Sequence, residues 1–256
     1  MLYTLESGNP KNPTIVLLHG GGLSSKQWQP NLPLLADFYC LAPDLPEQGK
    51  SYDVKPFTLD DSAARVAEII RTKVPSKKAH IVGLSLGGAL ALTILRVYPD
   101  VAERVMVTGT AAKLSEGLGK FSISMLFILK WYKPKTLVEA TLKQQHIPAQ
   151  FRDLVYDDLL LTGPDLGFNR SMIQEIMKME LPLENKNPLL ACVGSRETIP
   201  AKQAARKLVA TVPNTQGVMV TNAGHVWNLE KPELFSQTVR AWCNAQPLPS
   251  ELKPIP

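Results

Sequence analysis

Residues 79–88 read Ala79-His80-Ile81-Val82-Gly83-Leu84-Ser85-Leu86-Gly87-Gly88, and the reading of the fold turns on them. The first six are an apolar run of strand length, and residues 86–98 are an Ala- and Leu-rich stretch of helical length. A strand that passes into a helix through Gly-x-Ser-x-Gly must turn sharply at the serine. Glycine at positions 83 and 87 leaves room for neighbouring backbone to approach. Such a turn holds Ser85 in a strained backbone conformation and lifts its hydroxyl above the strand end, beside the N-terminal amides of the new helix. A five-residue match alone is weak, and an ordinary Gly-rich strand–helix turn is the alternative. The strand before the motif and the helix after it carry the argument.

Outward from this point the same rhythm repeats. Short apolar runs at 14–19, 38–42, 104–108, 189–193 and 217–221 read as strands. Helical patterns follow at 59–73, 201–212 and 232–244, the first with Asp60 and Asp61 at its N-terminus and Ala63, Val66, Ala67 and Ile70 on one face. Strands this apolar, alternating with helices, predict an α/β fold with a mostly parallel central sheet and helices on both faces. The last ten residues, PLPSELKPIP, hold four prolines and are expected to form a loose tail.

One segment interrupts the alternation. Residues 111–187 carry helical patterns and no convincing strand, so the expected organisation is a core from 1–110 and 188–256 with a helical cap inserted at 111–187. Such an insertion would lie over the carboxyl edge of the sheet, where α/β proteins build their sites. It is polarised in charge: 111–143 holds six Lys and two Glu, and 149–184 three basic residues and seven acidic ones. Within it, residues 121–132 (FSISMLFILKWY) are apolar nearly all round. Three readings stand: a buried helix, a pocket in which Met125, Phe127, Ile128 and Trp131 line an acyl or aromatic site, or a membrane-touching surface followed by Lys130, Lys133 and Lys135. The pocket reading predicts a preference for substrates with longer apolar groups.

The chain resembles the α/β-hydrolase fold family on four separated motifs in the family's order. These are LLHGGG at 17–22, GLSLG at 83–87, VGSRETIP at 193–200 and NAGHVWNLEKPELF at 222–235. The resemblance implies a serine hydrolase with a small-molecule, ester-like substrate. It assigns Ser85 as nucleophile, His225 as base and Glu197 as the acid that orients the imidazole. Glu197 stands where Asp is commoner, and no carboxylate follows the strand at 104–108, where some relatives keep theirs. Of four histidines, His225 alone follows the last strand, whereas His19 belongs to the HGGG loop in a structural role. The implied oxyanion donors are the backbone N–H groups of Leu86 and Gly21, with Gly22 as the substitute for Gly21. Relatives usually show a glycine at the place of Glu47, in a loop near the rim of the site. Thioesterases, enol-lactonases and carbon–carbon bond hydrolases share this triad, as would a non-catalytic ligand-binding relative.

Composition narrows the classes. The 256 residues are 45% hydrophobic and 20% charged, enough for one large core and unlike a disordered chain. The net charge of +5 is diffuse, so no nucleic-acid partner is expected. Three scattered cysteines match neither a disulfide framework nor a zinc site, and no metal or organic cofactor is expected. The N-terminus lacks the pattern of a signal peptide and no apolar run is long enough to span a bilayer, so a cytoplasmic protein is expected. Membrane contact is the least favoured reading of the 121–132 stretch.

Overall fold

The computed structural model describes residues 1–255. Eight strands form one sheet: β1 (Thr4–Ser7), β2 (Thr14–Leu18), β3 (Tyr39–Pro43), β4 (Ala79–Leu84), β5 (Ala102–Thr108), β6 (Leu189–Gly194), β7 (Thr215–Val220) and β8 (Leu252–Pro254). Their order is β1-β3-β2-β4-β5-β6-β7-β8. The six middle strands are parallel, and β1 and β8 pair antiparallel at the two edges. Every residue of β2, β3, β4 and β6 is buried, as a sheet covered on both faces requires. The α/β class expected from the sequence is the fold observed.

The helices are α1 (Leu59–Lys73), α2 (Leu86–Val97), α3 (Glu116–Met125), α4 (Pro134–Gln144), α5 (Arg152–Thr162), α6 (Leu166–Lys178), α7 (Ile199–Thr211), α8 (Trp227–Glu230) and α9 (Pro232–Cys243). Thr58 caps α1, its hydroxyl accepting the Asp61 N–H, with Asp60 and Asp61 in the first turn. Ten of the twelve residues of α2 are buried, so the helix that follows Ser85 is fixed in the middle of the molecule. Between β5 and β6 the chain runs through α3, α4, α5 and α6 without a strand.

Two differences from the sequence reading concern the sheet edges. Leu252–Pro254 of the tail is not loose: it pairs with β7 as an edge strand, where the ladder donor that Pro254 lacks costs least. The first strand, TLES, has no apolar run to announce it and is recruited by pairing with β3.

A third difference concerns residues 121–132. No residue of Leu126–Trp131, a 3-10 helix, is buried, and Phe121, Met125, Phe127 and Trp131 are exposed. The stretch is therefore not a buried helix. Gly119 is the buried residue of α3 and packs against the Met177 side chain of α6. The close face is made by that glycine, and the bulky side chains are turned away from it.

Candidate functional site

Ser85 sits between β4 and α2 with φ 55° and ψ −111°, a conformation that a side-chain-bearing residue adopts only under constraint. The constraint is visible on both sides. A Cβ at Gly83 would meet the Gly87 carbonyl oxygen at 2.2 Å, and one at Gly87 would meet the Leu18 carbonyl oxygen at 2.1 Å. The Ser85 N–H donates to the Thr108 carbonyl at 2.9 Å, tying the turn to β5.

Glu197 follows β6 and His225 follows β7. The His225 Nδ1 lies 2.7 Å from Glu197 Oε2, while Glu197 Oε1 accepts the Gly194 N–H at 2.9 Å. The carboxylate is buried, so one oxygen is committed to the backbone and the other to the imidazole. Gly109 closes the back of this pair: a Cβ there would stand 2.7 Å from His225 Nδ1 and 3.1 Å from Glu197 Oε2. Gly109 also has φ 58°, so the position suits glycine twice over. Trp227, two residues past His225, donates its indole N–H to Thr108 Oγ1 at 2.7 Å and packs on Phe235, fixing the histidine loop to the end of β5.

Ser85 and His225 line one small cavity of about 90 Å³ together with Gly20, Gly21, Thr141, Gln145, Ile147, Leu159 and Val226. Thr141, Gln145, Ile147 and Leu159 come from α4, α5 and the turn between them. Met125, Phe127, Ile128 and Trp131, expected from the sequence as pocket residues, do not line it. Met125, Phe127 and Trp131 are turned outward instead. Nothing in the helical patterns marked Thr141 or Gln145, because which helix faces the sheet is decided by packing between distant segments. A larger open groove of about 820 Å³, lined in part by Arg96, Met179, Leu183 and Lys207, contains none of Ser85, Glu197 or His225.

The glycine run at 20–22 is held by side chains on three sides. The Gly20 N–H goes to Gln27 Oε1 at 3.0 Å and the Gly22 N–H to Gln48 Oε1 at 2.8 Å. Gly21 is thus the glycine of the three whose N–H is not taken up in this way. Leu86 is the first residue of α2, so its N–H has no acceptor within the helix. His19 bridges the loop, its Nδ1 2.9 Å from the Gly20 carbonyl and its Nε2 accepting the Leu45 N–H at 2.9 Å. These partners require the Nδ1–H tautomer, and complete burial pushes the His19 pKa down, keeping it neutral. From α5, the Thr162 hydroxyl donates to the Gly22 carbonyl at 2.9 Å, and Asp158 accepts from the Ser24 hydroxyl. Burial raises the Asp158 pKa, and Lys26 stands 3.6 Å from it.

Glu47 also finds its explanation. Its φ is 62°, a conformation that glycine takes without cost, and its Oε1 accepts the Phe57 N–H at 3.1 Å. The side-chain hydrogen bond offsets the backbone strain, so Glu47 acts within its own loop. The three thiols are buried, and burial pushes each pKa up, to about 12 for Cys40. Among the described residues no cluster of three or more His, Cys, Asp or Glu could hold a metal ion, and no helix is long and apolar enough to cross a membrane.

A model of the alpha/beta hydrolase family matches residues 15–238. The chain belongs to the alpha/beta hydrolase family. It is 27% identical to an AB hydrolase superfamily protein of Gibberella zeae over 98% of this chain and 87% of that one. It is 28% identical to a carboxylesterase of Bacillus subtilis over 93% of this chain and 82% of that one. The enol-lactonase of Burkholderia xenovorans LB400 superposes with a TM-score of 0.79, at 22% identity, over 95% of this chain and 96% of that one. This last likeness concerns the fold alone.

Proposed function

We propose that the protein is a serine hydrolase acting on small esters with short acyl groups. The observation that carries this reading is a strained Ser85 sharing one cavity with a histidine whose Nδ1 is held by a buried glutamate. Ser85 Oγ attacks the ester carbonyl carbon as His225 Nε2 takes its proton. The Gly21 and Leu86 N–H groups receive the negative charge that develops on the carbonyl oxygen. Collapse breaks the bond to the alcohol, which leaves with the proton from His225. A water, deprotonated by the same imidazole, then attacks the acyl-serine, releasing the acid and restoring Ser85. Residues 111–187 act in this reading as a cap whose α4 and α5 close the cavity. The sequence match to a carboxylesterase supports the ester assignment.

Cavity size sets the chain length. The cavity shared by Ser85 and His225 is small, about 90 Å³. Acetyl to butyryl esters of p-nitrophenol are therefore expected to exceed the octanoyl ester by about tenfold or more in kcat/KM, a loss of transition-state binding of about 1.4 kcal/mol. This reverses the expectation that rested on the 121–132 stretch. A fluorophosphonate, which traps activated serines, should label the protein at Ser85. Absence of labelling, or labelling at another residue, would remove Ser85 from the mechanism.

Gly109→Ala tests the wall behind the His225–Glu197 pair. Left-handed backbone at a non-glycine residue costs roughly 1–2 kcal/mol, and the new Cβ must displace the imidazole. A lower Tm together with a kcat reduced about tenfold or more is expected. A lower Tm with unchanged kcat would show that the ring does not depend on this wall.

A further inference from the structure

Of the thirteen large hydrophobic side chains that stand exposed among the described residues, six lie within residues 118–132: Leu118, Phe121, Met125, Phe127, Trp131 and Tyr132. Trp131 is 82% exposed and Phe121 62%. Burying such groups gains free energy, and scattered single exposures need no explanation, but a run of six does. The arrangement is ordered. Leu118, Phe121 and Met125 recur at helical spacing on α3, whose Gly119 is pressed against Met177 of α6. The 3-10 helix then continues the outward face through Phe127 and Trp131.

Around this face lysines outnumber carboxylates five to two, Glu116 and Glu139 being the acidic residues of 113–139. Lys113, Lys120, Lys130, Lys133 and Lys135 are all exposed. Glu116 pairs with Lys120. Lys130, Lys133 and Lys135 have no ion-pair partner among the described residues. Trp, Phe and Leu beside a rim of lysines match what an interfacial helix offers to lipid: rings at the boundary and cations against the headgroups.

We propose that this face docks on an anionic phospholipid surface. A second copy of the chain suits it less well, because a two-fold pairing would set the same lysine rim against itself. An anionic leaflet neutralises that rim while the rings enter the acyl boundary. The helix that begins at Pro134, directly after the patch, carries Thr141 to the Ser85 cavity, and Gln145 follows at its C-terminal cap. Docking here therefore brings the cavity close to the lipid boundary. The proposal does not depend on the hydrolase reading.

The test is flotation of the full chain with vesicles of phosphatidylcholine alone and of phosphatidylcholine with phosphatidylserine. The wild type is expected to float with the anionic vesicles, to bind the neutral ones weakly, and to be released by added salt. Each lysine near an anionic leaflet contributes roughly fivefold, so Lys130→Gln, Lys133→Gln and Lys135→Gln together should weaken binding about a hundredfold. Trp131→Ser, at a side chain with no buried contacts to lose, should weaken it about tenfold or more with an unchanged Tm. Ser85→Ala should float as the wild type does, which separates this result from the fate of the hydrolase reading. A wild type that binds neither vesicle, or variants that bind as well as it does, would overturn the proposal. So would a wild-type dimer that Trp131→Ser dissociates, which would make the face a contact between copies.

Discussion

Replacing Ser85 by alanine is expected to lower ester hydrolysis by about 10⁴–10⁶-fold, the scale seen when the nucleophile of a cooperating triad is removed. The fold should survive the change. Ser85 already holds φ 55° because β4, the Thr108 carbonyl and the glycines at 83 and 87 fix the turn around it, and alanine faces the same backbone cost as serine. A Tm within a degree or two of wild type is therefore expected, since removing one small hydroxyl changes stability little. Ser85→Gly sharpens the test, because glycine takes this backbone conformation without a side-chain penalty. It should be equally inactive and more stable than the wild type. A protein that gains Tm when glycine, but not alanine, replaces Ser85 would show that the backbone strain is held for the sake of the serine. Steady-state hydrolysis of p-nitrophenyl acetate and thermal melts of the three proteins are the measurements. Residual activity near wild type in either variant would place the chemistry on another residue.

The parts of this site that were legible in the sequence are those written in local patterns. A six-residue strand that is apolar but for His80, a glycine–serine–glycine turn and an Ala- and Leu-rich helix specify the elbow without help from distant segments. Glu197 and His225 were reached through motifs at the ends of two further strands, and the structure brings their side chains within 2.7 Å. The choice between Gly21 and Gly22 was not legible. The proposal of Gly21 rests on Gln48, twenty-six residues away, taking up the Gly22 N–H. The cavity lining was misread for a related reason: an apolar helix pattern says that a face is hydrophobic, and not which way the face turns. For α3 it is Gly119 that packs against Met177. The edge strands escaped because three- or four-residue strands draw their stability from the neighbour they pair with, here β3 and β7. Gly109 did leave a signal, a glycine directly after β5 where a carboxylate would sit in some relatives. Its meaning needed the contact with His225 to be seen.

Glu197→Gln is expected to reduce kcat by about 10³–10⁴-fold with little change in KM, because it alters which nitrogen of His225 carries the proton. In the wild type both carboxylate oxygens accept: Oε1 from the Gly194 N–H and Oε2 from His225 Nδ1–H. In the proposed mechanism this tautomer leaves Nε2 free to receive the proton of Ser85. A glutamine side chain offers one oxygen and one NH₂ group to the same two partners. If its oxygen stays on Gly194, the NH₂ faces Nδ1 and favours the tautomer with the proton on Nε2, which cannot act as base. If the amide turns over, its NH₂ confronts the Gly194 N–H, donor against donor, in a buried position where an unmet donor costs about 1–3 kcal/mol. The first arrangement blocks proton transfer. The second keeps Nε2 free but is disfavoured by the clash at Gly194 and no longer offers the imidazolium a negative charge. Neither changes the cavity in which the substrate sits, so the loss should fall on kcat. Glu197→Asp separates charge from reach. It restores two accepting oxygens but is shorter by one methylene, so it should recover part of the activity only as far as the Gly194 and His225 loops can close the gap. A Glu197→Gln variant with wild-type kcat would mean that the tautomer is set by another group. Gly109, which stands against His225 Nδ1 and Glu197 Oε2, has no side chain and so brings no second carboxylate that could take over the role.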